Sequence, residues 1–141
     1  IMRQILLFAA LAASLALLSG CALSKAKADT AEDMSDKAAY QKISAEEAYG
    51  MMASQEVVVV DVRTREEYDG GHIENAVLVP NESIDSEMPE ALPDKEATLL
   101  IYCRSGRRSK DAAQKLLALG YQSVYDFGGV IDWPYELVKE G

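Results

Sequence analysis

The stretch that most restricts the fold is Val57-Val58-Val59-Val60-Asp61-Val62. It is a continuous β-branched run with no apolar/polar alternation, the pattern of a strand covered on both faces in a parallel sheet. Parallel strands need crossover connections, usually helical, and the surrounding sequence supplies them. Ser44-Ala45-Glu46-Glu47 has capping-box spacing and opens a helix through about Ala53. Thr64-Arg65-Glu66-Glu67 is a second capping box, opening a short helix to Asp69 that Gly70-Gly71 stops. Residues 76–80 read as a strand and 82–91 as a helix ending before Pro93. Residues 97–102 are an apolar strand, 109–120 a helix, 123–126 a last strand and 131–139 a closing helix. Strands alternating with helices predict an α/β domain with a parallel sheet. Ligands in such sheets bind beyond the carboxyl ends of the strands.

One of those ends carries Cys103. The loop Cys103-Arg104-Ser105-Gly106-Arg107-Arg108-Ser109 joins the strand at 97–102 to a helix. In that helix Ala112, Ala113, Leu116, Leu117 and Leu119 recur at helical spacing, and Gly120 stands where a C-terminal cap belongs. Such a turn aims backbone N–H groups and the positive end of a helix dipole at its occupant. Three arginines fall within five residues, although the chain's net charge is −9. Cationic neighbours and a helix N-terminus both favour the thiolate form of sulfur. The loop is built for an anion and a nucleophilic sulfur together; a cysteine that only packs has no use for it. The acidic balance argues against nucleic acid, because no basic face exists outside this loop.

The first twenty residues are of another kind. Arg3 precedes an uncharged apolar run over residues 5–18, which ends at Ser19-Gly20-Cys21. A positive start, a short apolar core and small residues at its end predict a secretory signal, too short to span a membrane. Met2 is read as its start. Leu18-Ser19-Gly20-Cys21 resembles the lipobox of bacterial lipoproteins, in which cleavage precedes the cysteine and the cysteine takes the lipid. Residues 1–20 are thus expected to be a signal peptide, and residues 21–40 a lipidated N-terminus and flexible tether. As a coil that tether would span roughly 20 to 25 Å. A domain at 41–141 follows. The expected location is extracytoplasmic, lipid-anchored to a bacterial membrane, on the periplasmic side or the cell surface. With Cys21 acylated, Cys103 is the single free thiol of the mature chain, without an internal disulfide partner.

Three blocks together resemble the rhodanese-like, or sulfurtransferase, domain. Residues 61–73, Asp61-Val62-Arg63 through Glu67-Tyr68 to Gly71-His72-Ile73, are similar to the family's D-x-R…E-[FY]…G-H-I signature. Residues 103–109 are close to its C-R-x-G-x-R-S loop, and Gly128-Gly129-Val130-Ile131-Asp132-Trp133 is like its closing G-G-x-x-x-W. The blocks lie in the family's order and span residues 41–139. The resemblance implies a single α/β domain with a central parallel sheet of about five strands flanked by helices. It implies that Cys103 takes a sulfane sulfur as a persulfide and passes it to cyanide or a thiol. Arg104, Ser105, Gly106, Arg107 and Arg108 would form the substrate cradle, with Arg104 and Arg108 expected to matter most. Asp61, Arg63, His72 and Ser109 would be supporting residues. Asn75 stands where many members have glycine, and asparagine tolerates the left-handed backbone.

The chemistry agrees. Thiosulfate is a dianion whose outer sulfur a thiolate attacks while sulfite leaves, and arginines suit the sulfonate oxygens. With the sulfur already ionised, no general base is needed. No cofactor is required, and one histidine with one free cysteine argues against a dedicated metal site. Two alternatives stay open. One is a persulfide carrier or thiol sensor that serves a partner protein without turnover. The other is phosphatase or arsenate reductase chemistry, which needs a loop one residue longer than the five-residue spacing from Cys103 to Arg108.

Overall fold

In the computed structural model, which describes residues 38–140, the valine run forms β2, Val58–Asp61. Four further strands join it: β1, Gln41–Lys42; β3, Val77–Leu78; β4, Thr98–Cys103; and β5, Ser123–Gly129. The sheet order is β1-β5-β4-β2-β3, and every pairing is parallel. Three helices flank it: α1, Ala45–Ser54; α2, Arg65–Asp69; and α3, Arg107–Ala118. The chain is therefore a single α/β domain of the expected kind over these residues. The predicted signal segment, Cys21 and most of the tether lie outside the described residues.

Local sequence explains the helix ends. Both capping boxes form in full: Ser44 Oγ accepts from the Glu47 N–H while Glu47 accepts from the Ser44 N–H, and Thr64 and Glu67 repeat the pattern. The end of α3 is a Schellman motif. Gly120 takes φ +100, its N–H donates to the Leu117 carbonyl, and the Tyr121 N–H donates to Leu116.

Two predicted helices do not form. Residues 81–83 make a single 3-10 turn, and the chain to Pro93 is irregular. Pro89 lies inside the predicted span; it lacks an N–H and its ring disfavours the α region for Met88. Likewise the closing segment has only the 3-10 turn Val130–Asp132, because Pro134 follows. Beyond a bend at Tyr135, Val138 pairs with His72 through two hydrogen bonds of 2.8 Å. The fifth strand, β1, carries no apolar run and was legible only through the family resemblance.

Side-chain parity along β4 divides the core. Leu99, Ile101 and Cys103 face α3, packing with Val60, Val62, Ala112, Leu116 and Val124. Leu100 and Tyr102 face α1 and α2, packing with Ala48, Val59, Tyr68 and Phe127. The same period-two geometry that buries Leu99 and Ile101 under α3 thus delivers the sulfur to the N-terminus of that helix.

At the carboxyl end of β5 the chain approaches the Cys103 loop too closely for any side chain. A Cβ on Gly129 would overlap the Arg104 carbonyl and the Ser105 Cα, both backbone atoms. Gly129→Ala is expected to lower stability by about 3 kcal/mol, read from urea unfolding, and to displace the loop.

Candidate active site

Cys103 is the last residue of β4, and its register partner is Gly129 of β5 after a bulge between Ile101 and Cys103. The thiol is 1% exposed and forms the floor of the loop. Gly106, at φ +104, is the left-handed N-cap of α3, a conformation glycine adopts without strain. That turn brings the Gly106 N–H to 3.0 Å from Cys103 Sγ. The first-turn N–H groups of α3 have no helical acceptor and share the same end of the helix. The loop is pinned from outside as well, since the Ile131 N–H donates to the Arg104 carbonyl at 3.2 Å.

The arginines divide into two kinds. Arg104 and Arg107 are exposed, with no carboxylate within ion-pair distance among the described residues. Arg108 is committed: its two terminal nitrogens donate to Glu67 at 2.7 and 2.9 Å, joining α3 to α2. Glu67 takes two of the five Arg108 N–H donors, and the Arg108 charge also acts on Cys103. Arg108 is expected to hold substrate with Arg104; in the structure it also braces α3 against α2. Glu67, already a capping residue, carried no signal in the sequence for this second partner.

That Arg108 bond, with burial opposing it, holds the Glu67 carboxyl down at about 2 against an ordinary 4.5. A depressed carboxylate contributes stability that is complete above its ordinary value and disappears as pH falls toward the folded one. Glu67→Gln should therefore be less stable than wild type by roughly 1 to 3 kcal/mol at neutral pH. The gap should close as pH falls from 4.5 to about 2, as read by thermal unfolding.

Asp61 and Arg63 form a buried pair beside the site. Arg63, 5% exposed, donates to both Asp61 oxygens and to the Gly71 carbonyl at 2.8 Å. Tyr102 donates to Asp61 Oδ2 at 2.6 Å and its oxygen accepts the Ile73 N–H. The network anchors residues 71–73 to β2 and β4. Its neighbour His72 is 4% exposed, with Nδ1 2.9 Å from the Tyr68 carbonyl and its ring stacked on Tyr68 at 3.7 Å. Its contacts hold the backbone. Asn75 has φ +67, the left-handed conformation expected of it. Removing one partner strands a buried charge, so Arg63→Ala should cost about 3 to 5 kcal/mol, measurable by denaturant unfolding.

Ser109 is fully buried and lies 3.6 Å from Cys103 Sγ. Behind it is Asp126, also fully buried, whose Oδ1 accepts from Ser109 Oγ at 2.7 Å and whose Oδ2 accepts from the Tyr40 hydroxyl at 2.6 Å. Sequence reasoning missed Asp126, Tyr40 and Lys42. The available signal was an acidic residue in an otherwise apolar strand, two positions before a glycine pair.

Comparison with known proteins fits this geometry. Residues 44–134 match the profile of the rhodanese-like domain. The chain belongs to that family. A rhodanese from Escherichia coli solved with anions is 33% identical, covering 60% of this chain and all of its own, at a TM-score of 0.55. A rhodanese-like domain protein from Staphylococcus aureus is 32% identical over 72% of this chain and 99% of its own, at a TM-score of 0.62. Among curated proteins, the tRNA uridine(34) hydroxylase of Erwinia tasmaniensis is 33% identical over 118 residues, 80% of this chain but 33% of that protein. The chain spans about a third of the length of the curated relatives it matches. In this rhodanese-like domain the blocks that carry the resemblance converge on one end of the sheet, around Cys103.

Proposed function

We propose that this protein is a sulfurtransferase that moves a sulfane sulfur from thiosulfate, or a similar small anionic donor, through a Cys103 persulfide. The observation that carries the reading is the Gly106 N–H on Cys103 Sγ at 3.0 Å, at the head of α3. It gives a negatively charged sulfur, and later a terminal persulfide sulfur, a donor at the loop's floor. In the first step the Cys103 thiolate attacks the outer sulfur of thiosulfate. The S–S bond breaks, its electron pair leaves with sulfite, and Cys103 carries a persulfide. In the second step cyanide or a thiolate acceptor takes the terminal sulfur and regenerates the thiolate. Arg104 and Arg107 supply the cationic rim for the sulfonate oxygens. Ser105 lies exposed between them.

The loop argues against phosphoryl transfer. That chemistry needs one more residue between the cysteine and the loop-closing arginine than separates Cys103 from Arg108, to wrap a larger tetrahedral oxyanion. The relatives named as tRNA hydroxylases share only this domain's length with the chain, and a net charge of −9 suits a small anion at a local cationic loop better than RNA. A carrier that hands its persulfide only to a protein uses the same sulfur and differs by lacking turnover on small acceptors.

Incubated with thiosulfate and cyanide, the protein should form thiocyanate, and Cys103→Ser should reduce the rate to the uncatalysed level. Arg104→Ala with Arg107→Ala should raise KM for thiosulfate roughly tenfold or more, about 1.4 kcal/mol per tenfold. No transfer to any small acceptor would favour the carrier. We further propose that Cys21 bears a lipid anchoring the domain outside the cytoplasm. Fatty-acid labelling should then be lost, and the protein released from membranes, in Cys21→Ala.

A further inference from the structure

Two carboxylates are completely buried, Asp61 and Asp126. Asp61 has Arg63, which is buried with it. The only cation paired with Asp126 among the described residues is Lys42, whose ammonium is 3.5 Å from Oδ2 on a half-exposed side chain. Asp126 also accepts from the Tyr40 hydroxyl at 2.6 Å, the Ser109 hydroxyl at 2.7 Å and the Gly128 N–H at 2.9 Å. That is the donor set of a carboxylate, and its use is shape. It ties the chain entering β1, the first turn of α3 and the end of β5 together behind the Cys103 loop.

The same carboxylate is electrostatically adverse to the reaction. Ser109 has one hydrogen, and its shortest contact is Asp126, so it meets Cys103 Sγ, 3.6 Å away, with its lone pairs. A buried negative charge thus stands one hydroxyl away from a sulfur that must become negative and receive a dianion, where little water screens it. The Gly106 N–H serves the sulfur and leaves Asp126 uncompensated.

Lys42 is placed to compensate it. It is the register partner of Asp126 on β1, the edge strand. A Cβ on Gly128 would lie 3.2 Å from the Lys42 ammonium and one on Gly106 3.9 Å, and both glycines have positive φ, +94 and +104. Their bare backbones leave a notch beside the catalytic turn, and the ammonium rests in it against Asp126. We propose that Lys42 is a positioning residue for anion binding at Cys103, acting by neutralising Asp126 and not by touching substrate. Asp126 keeps the cradle's shape and Lys42 keeps its potential positive, so that Arg104, Arg107 and the Gly106 N–H hold an anion beside the sulfur without opposition from behind.

This inference rests on reading the Cys103 loop as an anion site, and its test uses sulfate, a dianion that transfers no sulfur. Alkylation of Cys103 by iodoacetamide in the full chain is followed at fixed pH and ionic strength against rising sulfate. Peptide mass spectrometry separates Cys103 from Cys21, and the readout is the sulfate concentration that halves the rate. Lys42→Met should raise that concentration roughly tenfold. Lys42→Arg should stay within about twofold of wild type, and Lys42→Met combined with Asp126→Asn should return to that range. An unchanged value in Lys42→Met overturns the proposal, as does an absence of protection in the wild type. A loss that Asp126→Asn fails to restore overturns it too, because Lys42 would then be binding the anion itself. If the double variant does not fold, the single variants decide: a loss confined to Lys42→Met supports the proposal, and equal values in Lys42→Met and Lys42→Arg overturn it. Persulfide formation from thiosulfate is read separately. The predicted pattern without it would refute the proposed function and leave the role of Lys42 standing; persulfide formation with an unchanged Lys42→Met would do the reverse.

Discussion

The site depends on a backbone contact in which no side chain takes part. Gly129 at the end of β5 lies against the Arg104 carbonyl and Ser105 Cα, so the loop after Cys103 is pressed onto a neighbouring strand. That contact, with the Ile131 N–H on the Arg104 carbonyl, sets where the turn goes. Gly106 then has to take a left-handed conformation to start α3, and its N–H ends up on the sulfur. Loop shape, donor position and helix start follow from one close approach. A rigid cradle of this kind is preorganised, and its donors need no reorientation when charge arrives.

Around the cradle, buried charges fix the neighbouring loops. Asp61, Arg63 and Tyr102 tie β2, β4 and residues 71–73 together inside the protein. A buried pair of this kind is weak as net stabilisation, since desolvation offsets most of its attraction. Its use is specificity: another position of residues 71–73 would lose the Gly71 carbonyl on Arg63 and the Ile73 N–H on Tyr102. Arg108 and Glu67 do similar work nearer the surface, where the bidentate geometry sets the distance between α2 and α3.

Much of this was legible in the sequence, and the failures have identifiable causes. The valine run gave a buried parallel strand because continuous β-branching has few other uses. The two capping boxes placed α1 and α2 within a residue, since capping is local chemistry. Residues 82–91 and 131–139, expected as helices, form only single 3-10 turns, since Pro89 and Pro134 interrupt them. Strand β1 has two exposed residues and no pattern of its own; its existence is decided by β5, more than eighty residues away. The sulfur and its loop were readable from spacing, cation density and position at a strand end. What Arg108 touches, and that Asp126 stands behind Ser109, are tertiary facts: Glu67 and Asp126 are ordinary acidic residues until the fold brings them in.

The proposed sulfur transfer requires Cys103 to carry a second sulfur. Mass spectrometry of the Cys103 peptide after exposure to thiosulfate should therefore find one added sulfur atom on Cys103, removed by cyanide and absent in Cys103→Ser. An accessible, unmodified Cys103 thiol after exposure to thiosulfate and other sulfane donors would contradict it.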